Sequence, residues 1–156
     1  MTYPSVVLLQ DPPVSKARLS LFSGFVLFFP PVRNPPVAAY IHRSFLSQFL
    51  VLLVFKDTDD VLALDVSSQE PLFNTSFHSF WLMNAYSTNA QDPRVYSVPP
   101  ETLFPDLGVP LPVVGDLSIH NPLSDPRRSL SSQELNFSVP YFEKAAEGGF
   151  ALLNPT

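Results

Sequence analysis

Residues 49–66 read FLVLLVFKDTDDVLALDV, and this stretch decides the fold. Two largely apolar runs, residues 49–55 and residues 61–66 with a single aspartate at position 65, flank five polar residues, three of which are aspartates. Each apolar run is short and rich in Val and Leu, which is typical of a buried strand. Asp and Thr suit the segment between them because their side chains bond to nearby backbone groups in turns. The stretch therefore predicts a β-hairpin with a short polar tip.

The aspartates of this tip allow a second interpretation. Asp57 and Asp59 behind an apolar run, together with VVGDLSI at residues 113–119, resemble two motifs of haloacid-dehalogenase-type phosphatases. The resemblance implies that Asp57 is a nucleophile, Asp59 an acid/base and Asp116 a ligand of Mg²⁺, a hard cation that prefers oxygen. That family needs crossover helices between parallel strands, which a proline-rich chain supplies poorly. We therefore expect a solvated hairpin tip, with a simple cation site at Asp57, Asp59 and Asp60 and the phosphatase as alternatives.

The composition indicates a folded chain that is rich in loops. The sequence has 156 residues, 46% of them hydrophobic, with 18 prolines and 14 phenylalanines. Proline breaks helices and is excluded from central strands, so this many prolines predict short elements with extended connections. The phenylalanines supply apolar surface that offsets the entropy cost of ordering the chain. We expect one mainly β domain over residues 1–156: a sandwich or partly open barrel of short strands, with long proline-rich loops and a short C-terminal helix.

Three further strands are predicted before the hairpin. Residues 5–10, 18–29 and 37–42 are rich in β-branched and aromatic side chains and are bounded by prolines or polar residues. Gly24 interrupts the second of them and indicates a bulge or a close backbone approach. Ser44 is predicted to cap a short helical turn that leads into the hairpin.

The clearest helix signals lie near the end of the chain. Ser131 and Glu134 have the spacing of a capping box. Residues 140–147 are predicted to form a helix of about two turns, with Ser138 as its N-cap and Gly148 as its end.

The aromatic region at residues 73–81 is a candidate binding site. Phe73, Phe77, Phe80 and Trp81 have the spacing of one helix face. A strand through the same residues is the competing interpretation. The aromatic band around Trp81 could serve as a platform for a peptide or small ligand, with packing in the core as the competing interpretation.

Residues 99–126 form a proline-rich segment that is long for a loop of a compact domain. Seven prolines make it irregular, so we expect an extended arm that lies over a surface, with at most one strand. Prolines lower the entropy of the unattached arm, which reduces the cost of docking it on a partner. The apolar residues that could anchor it on a partner are Leu103, Phe104, Leu107, Val109 and Leu111.

Charge and hydropathy narrow the set of partners. The net charge is −5, and the basic residues form no cluster beyond Arg127 and Arg128, so nucleic acid is not expected. No uncharged run is long and apolar enough to cross a membrane, and residues 1–13 lack the basic start of a signal peptide. We expect an intracellular protein, soluble or within a particle.

No pattern of catalytic or metal-binding residues accompanies these features. The chain has no cysteine, and His42, His78 and His120 lie far apart without ligand spacing, so neither a metal site nor a cofactor is predicted. We predict a non-enzymatic structural subunit whose partners are other protein chains, in a homo-oligomer, a larger shell or scaffold, or both. One such setting is a decoration or surface-protrusion protein of a virus particle. The alternatives are a peptide- or ligand-binding module that uses residues 73–81 and the Mg²⁺-dependent phosphatase.

Overall fold

The computed structural model describes residues 4–15, 18–54, 58–72, 74–86, 98–116 and 129–151. Within these ranges the chain is mainly β, with a few helices. The elements in chain order are β1 (Val6–Gln10), β2 (Val14–Ser15), β3 (Arg18–Leu19), β4 (Phe25–Phe28), β5 (Val37–His42), α1 (Arg43–Leu46), β6 (Leu50–Val54), β7 (Val61–Ser67), β8 (Ser79–Tyr86), α2 (Pro100–Leu103), β9 (Val113–Asp116) and α3 (Ser132–Glu147).

Two open sheets form a small sandwich, which confirms the predicted fold class. The first sheet has the order β1-β5-β4, and both of its pairs are antiparallel. The second has the order β6-β7-β8-β9; β6, β7 and β8 are antiparallel and β9 runs parallel to β8. The antiparallel pairing of β6 with β7 confirms the hairpin predicted from residues 49–66. A two-stranded pair, β2 and β3, lies outside these sheets.

The first hydrophobic core fills the space between the two sheets. Alternate residues of β5 meet alternate residues of β6 and β7, as the period of two in a strand requires. The buried members of this core are Val37, Ala39, Ile41, Val51, Leu62, Leu64 and Val66. Phe45, Leu46 and Phe49, from α1 and the residues after it, close one end.

A second core lies on the opposite face of the four-stranded sheet. Val61 and Ala63 of β7 and Met83 of β8 point away from the sandwich and pack against Leu103 of α2 and Tyr141 of α3. Strand β7 is therefore buried on both faces, which explains why its residues 61–64 read as a continuous apolar run.

One buried side chain joins the two sheets by hydrogen bonds. Asn84 of β8 points toward the three-stranded sheet and is 1% exposed. Its Nδ2 donates to the carbonyl oxygen of Leu9 at 2.9 Å and to that of Ala38 at 3.1 Å. Its Oδ1 accepts a hydrogen bond from Nε2 of Gln10. Leu9 and Ala38 are opposite each other in the β1–β5 register, so the amide ties both strands to β8.

The strand predicted over residues 18–29 is two strands. A turn separates β3 from β4: the Phe25 N–H donates to the Phe22 carbonyl oxygen at 3.2 Å, and Gly24 has φ of +84°. A side chain is strained at that φ, and a Cβ on Gly24 would also lie 3.2 Å from the His42 ring. The glycine therefore marks a turn and a close approach.

The helix at the C-terminal end is longer than predicted. The capping box of Ser131 and Glu134 is present and begins α3, which runs unbroken to the C-cap Gly148. Ser138 is not a cap; it lies within the helix and donates to the Leu135 carbonyl oxygen at 2.9 Å. Pro140 lies in the interior, and the helix continues past it because Tyr141 packs on the second core. The short helix α1 also begins differently, with His42 rather than Ser44 as its N-cap.

We expect Asn84→Ala to destabilise the protein strongly. The change leaves the buried Ala38 carbonyl oxygen, the partly buried Leu9 carbonyl oxygen and the Gln10 amide without their partner, at a cost of about 2–4 kcal/mol. Chemical denaturation followed by circular dichroism measures this free energy of unfolding. Asn136→Ala, at an exposed position of α3, is the matched control and should change it by less than about 0.5 kcal/mol. Equal effects of the two substitutions would contradict the role assigned to Asn84.

Candidate functional site

The edge strands β4 and β6 lie on the same side of the sandwich. Strand β1 packs over β8 and β9, and β5 packs over β7 and β8, so β4 lies over the β6 end of the larger sheet. Phe28 of β4 and Val51 of β6 accordingly line one groove. In the described part of the chain, each of these two strands pairs with one neighbour only. We call this region, made of the outer edges of β4 and β6 and the groove between them, the open side.

The groove of the open side has a volume of about 1210 Å³. Its walls come from β4, from the residues between α1 and β6, and from the residues that follow β7. It therefore lies where both sheets end, and none of the described elements covers it. The lining residues are Phe28, Leu46, Ser47, Gln48, Phe49, Leu50, Val51, Ser67, Ser68, Gln69, Glu70, Pro71 and Leu72.

Two leucines of β6 are exposed beside this groove. Leu50 is 59% exposed and Leu52 is 52% exposed. Both lie on the outer face of the four-stranded sheet, on the same side as Val54. Val54 packs against the second core, whereas Leu50 and Leu52 lie outside it. The second core, as far as the structure describes it, therefore leaves part of this face uncovered.

Among the residues that the structure describes, strand β6 carries none of the side chains that usually protect an edge strand. Its residues are LVLLV, without a charge or a proline. Natural sheets commonly place lysine, proline or a bulge on such edges because unpaired backbone groups recruit foreign strands. An unprotected edge with exposed leucines is the arrangement that accepts a further β-strand.

The carboxylate of Asp65 lies beside these leucines. In the sheet register Asp65 is flanked by Leu52 on β6 and Trp81 on β8. Its Oδ1 is buried and has no hydrogen-bond partner among the described residues. Native proteins provide a hydrogen-bond partner for nearly all buried polar atoms. This oxygen is therefore an unsatisfied acceptor beside the exposed leucines.

The predicted interface residues of the arm divide into two groups. Leu103 is fully buried in the second core, and Phe104 and Leu111 pack against that core. Leu103 therefore offers no surface to a partner in this conformation. Leu107 and Val109 are half-buried and lie outside that core.

Backbone hydrogen bonds fasten part of the arm to the chain's own sheet. The Trp81 and Met83 N–H groups donate to the Pro110 and Pro112 carbonyl oxygens at 2.9 and 3.0 Å. The arm then continues as β9, which agrees with the single strand allowed for it. Residues 117–126 lie outside the described residues.

The aromatic region does not form one platform. The segment that contains Phe80 and Trp81 is a strand, so these adjacent rings point to opposite faces, Phe80 to the first core and Trp81 to the second. Phe77 is 39% exposed before the strand begins. Phe73 lies outside the described residues. The predicted helical face is therefore wrong, because packing on both sides of β8 favours the strand.

Asp59 and Asp60 of the hairpin tip lie in a turn. Thr58 Oγ1 accepts a hydrogen bond from the Asp60 N–H at 3.2 Å, and Asp59 is exposed. Asp57 lies outside the described residues. Because β6 and β7 pair directly and antiparallel, the described elements place no crossover helix of the kind implied by the phosphatase resemblance between them.

Asp60 and Asp116 nevertheless lie at the same end of the larger sheet. The Tyr86 N–H donates to the Asp60 carbonyl oxygen at 3.0 Å, and Tyr86 pairs with Asp116 in the parallel register. One strand therefore separates the two backbones, which places them about 10 Å apart. Among the residues that the structure describes, no group of three His, Asp or Glu could hold a metal ion.

Sequence reasoning missed the open side as a site. The run at residues 49–55 is apolar throughout, so it does not show which leucines face the core. Its lack of charge is the one available signal, but a central strand reads the same way. Only the strand order identifies β6 as an edge.

A buried tyrosine holds the helix layer to the chain before α2. The Tyr141 hydroxyl donates to the Val98 carbonyl oxygen at 2.8 Å. Burial, and to a lesser degree the carboxylate of Glu101, raises the pKa of Tyr141 to about 12. Because the folded state favours the neutral phenol, this contribution to stability is complete below the ordinary tyrosine pKa of about 10 and is lost as the pH rises toward 12.

We expect Tyr141→Phe to lower the free energy of unfolding by about 1–2 kcal/mol, because the buried Val98 carbonyl loses its donor. Denaturant titrations at neutral pH measure this loss. Repeated between pH 10 and 12, they should show the difference between the two proteins shrinking as the native phenol ionises. A difference that grows with pH would contradict the assignment.

We expect Asp59→Ala to change the free energy of unfolding by less than about 0.5 kcal/mol, because the side chain is exposed. Thr58→Ala is the matched comparison in the same turn and should cost about 0.5–1.5 kcal/mol through its hydrogen bond to Asp60. Both values come from urea denaturation. Phosphate-monoester hydrolysis in Mg²⁺ that disappears in Asp59→Ala would instead support the phosphatase alternative.

No helix in the described residues combines the length and the apolar character needed to cross a membrane.

Comparisons with known proteins identify no relative of this chain. Searches against family models, curated proteins and solved structures find no significant match.

Proposed function

We propose that this chain is a non-enzymatic subunit that joins a larger protein assembly through its open side. The observation that carries the proposal is the exposure of Leu50 and Leu52, 59% and 52%, on an uncharged edge strand. Contiguous exposed apolar surface on a soluble domain marks a contact with another molecule. An edge strand also offers unpaired backbone N–H and C=O groups. Hydrogen bonds to these groups fix the orientation of the partner, in addition to the apolar area that it buries.

The surroundings of the two leucines favour a protein as the partner. The groove continues the apolar surface toward β4, where Val26 is 36% exposed and Phe29 just beyond it is 39% exposed. These residues lie along one side of the sandwich, so an extended partner chain could contact several of them at once. The groove is open, whereas a compact small molecule prefers an enclosed pocket, so a strand is the better fit.

The unpaired oxygen of Asp65 also suits a partner. The residue as a whole is only half-buried, so its carboxylate lies near the surface although Oδ1 itself is buried. A donor from a chain seated on the uncovered face would satisfy this oxygen. Leaving it unpaired in the folded state costs about 1–3 kcal/mol, and a partner that pairs it gains this energy on binding.

The virus-particle setting stays a prediction within this proposal. Decoration and protrusion proteins are non-enzymatic subunits with extended contacts to neighbouring chains, and a proline-rich chain with an unprotected edge is compatible with that role. The same features would serve a cellular assembly. Of the five apolar residues predicted to anchor the arm, Leu107 and Val109 lie outside the second core and could contact a neighbouring chain.

A photo-cross-linking amino acid at position 50 tests the proposal. With benzoylphenylalanine in place of Leu50, irradiation of cells that produce the protein should join it covalently to another polypeptide chain. The same amino acid at Val139, which is 42% exposed on α3, is the control and should give few adducts. Mass spectrometry identifies the captured chain. Adducts that are no more frequent at position 50 than at position 139 would overturn the proposal.

A further inference from the structure

We infer that the occupant of the β6 edge is a second copy of this chain, so that two β6 strands pair antiparallel across a two-fold axis and join two four-stranded sheets into one of eight strands. This inference rests on the proposed function and names the partner that it leaves open. Paired edges of this kind are isologous, because the same strand supplies both halves of the contact.

The register follows from the requirement that matching faces meet. Side chains alternate along a strand, so a pairing that keeps outer faces together must bring residues of the same parity opposite each other. The register that uses all of β6 places Leu52 opposite the Leu52 of the second copy and Leu50 opposite its Val54. The exposed leucines of both copies then form one apolar row on the outer face of the joined sheet.

The chemistry of β6 is self-complementary in this register. The strand has no charged side chain, so its own copy brings no like charges opposite each other. A foreign strand would need an apolar side chain at every position that faces β6. A second copy of β6 has apolar side chains at all of these positions. Leucine against leucine also removes from water the side chains that are exposed in the single chain, Leu50 and Leu52.

The open side can supply the area that a stable dimer needs. Stable interfaces bury about 800 Å² per partner. A strand of five residues is about 17 Å long and does not reach that area alone. The two-fold axis brings the neighbouring edge β4 and the groove of each copy toward the other, so Val26 and Phe29 add to the contact. The inferred dimer therefore uses the whole open side.

Disulfide cross-linking reads out the register directly. The chain has no cysteine, so Leu52→Cys introduces a single thiol. Facing residues of an antiparallel pair have Cα atoms about 4.5–5.5 Å apart, within the span of a disulfide. Mild oxidation of the purified chain should therefore yield a covalent dimer through the thiol at position 52.

Two single-cysteine variants are the controls for this experiment. Leu50→Cys is exposed to a similar extent, but its thiols would lie about 14 Å apart in the inferred register and should not join. Val139→Cys on α3 tests for random collision. A dimer that cross-links no better through position 52 than through these two positions would overturn the inference.

Sedimentation equilibrium measures the same contact without a covalent bond. The unmodified chain should dimerise reversibly, and Leu52→Lys should weaken dimerisation by at least about tenfold because two lysines then face each other. Val139→Lys should leave the dissociation constant unchanged. Circular dichroism confirms that each variant is folded; Leu52 is half-exposed, so lysine can reach water there.

The outcomes separate this inference from the proposed function. A chain that stays monomeric at all concentrations, or that dimerises equally well after the Leu52→Lys substitution, overturns pairing through β6. The proposed function survives that result if the photo-cross-linker at position 50 still captures a different protein. It fails together with the inference if position 50 captures nothing.

Discussion

The structure depends on the buried amide of Asn84. Two sheets of this size share a modest apolar core, and apolar contacts alone do not define how one sheet lies on the other. The amide gives this arrangement direction because its two donors reach carbonyl oxygens on neighbouring strands, β1 and β5, while its oxygen accepts from Gln10. A shift of either sheet along the other would leave these buried groups unpaired, at a cost larger than most single apolar contacts.

The position of the two sheets in turn decides which edges coincide. With β1 held over β8, the three-stranded sheet extends β4 toward β6, and the two edges lie on one side of the sandwich. The groove between them and the exposed leucines of β6 are consequences of that alignment. The interaction surface proposed for this protein therefore depends on a polar contact at the other side of the fold.

The helix layer explains why only part of the outer face of the larger sheet is exposed. The helix α3 and the segment around Leu103 cover β7 and β8 near their ends at Val61 and Ala85. The arm at residues 99–116 contributes to this cover, because its backbone pairs with β8 and its apolar residues pack on the second core. The remainder, around Leu50 and Leu52, is where the outer face meets the edge of the sheet.

Much of the local structure was readable from the sequence. The hairpin of β6 and β7, the strands β1 and β5, and the capping box of Ser131 and Glu134 were predicted because each depends on neighbours close in the chain. The break at Gly24 and the strand through Phe80 and Trp81 were ambiguous. A glycine serves equally in a bulge or a turn, and aromatic residues at mixed spacing fit a helix until packing on both faces selects a strand.

The sequence by itself determined a mainly β chain of short strands, because hydrophobic periodicity and proline placement act over a few residues. Only the tertiary structure decided where the proposed interaction surface lies. Whether Leu50 and Leu52 are core or surface depends on the position of β6 at the end of its sheet, and no pattern within residues 49–55 encodes the order of strands. The role of Asn84 was hidden for the same reason, since its partners lie 75 and 46 residues away along the chain.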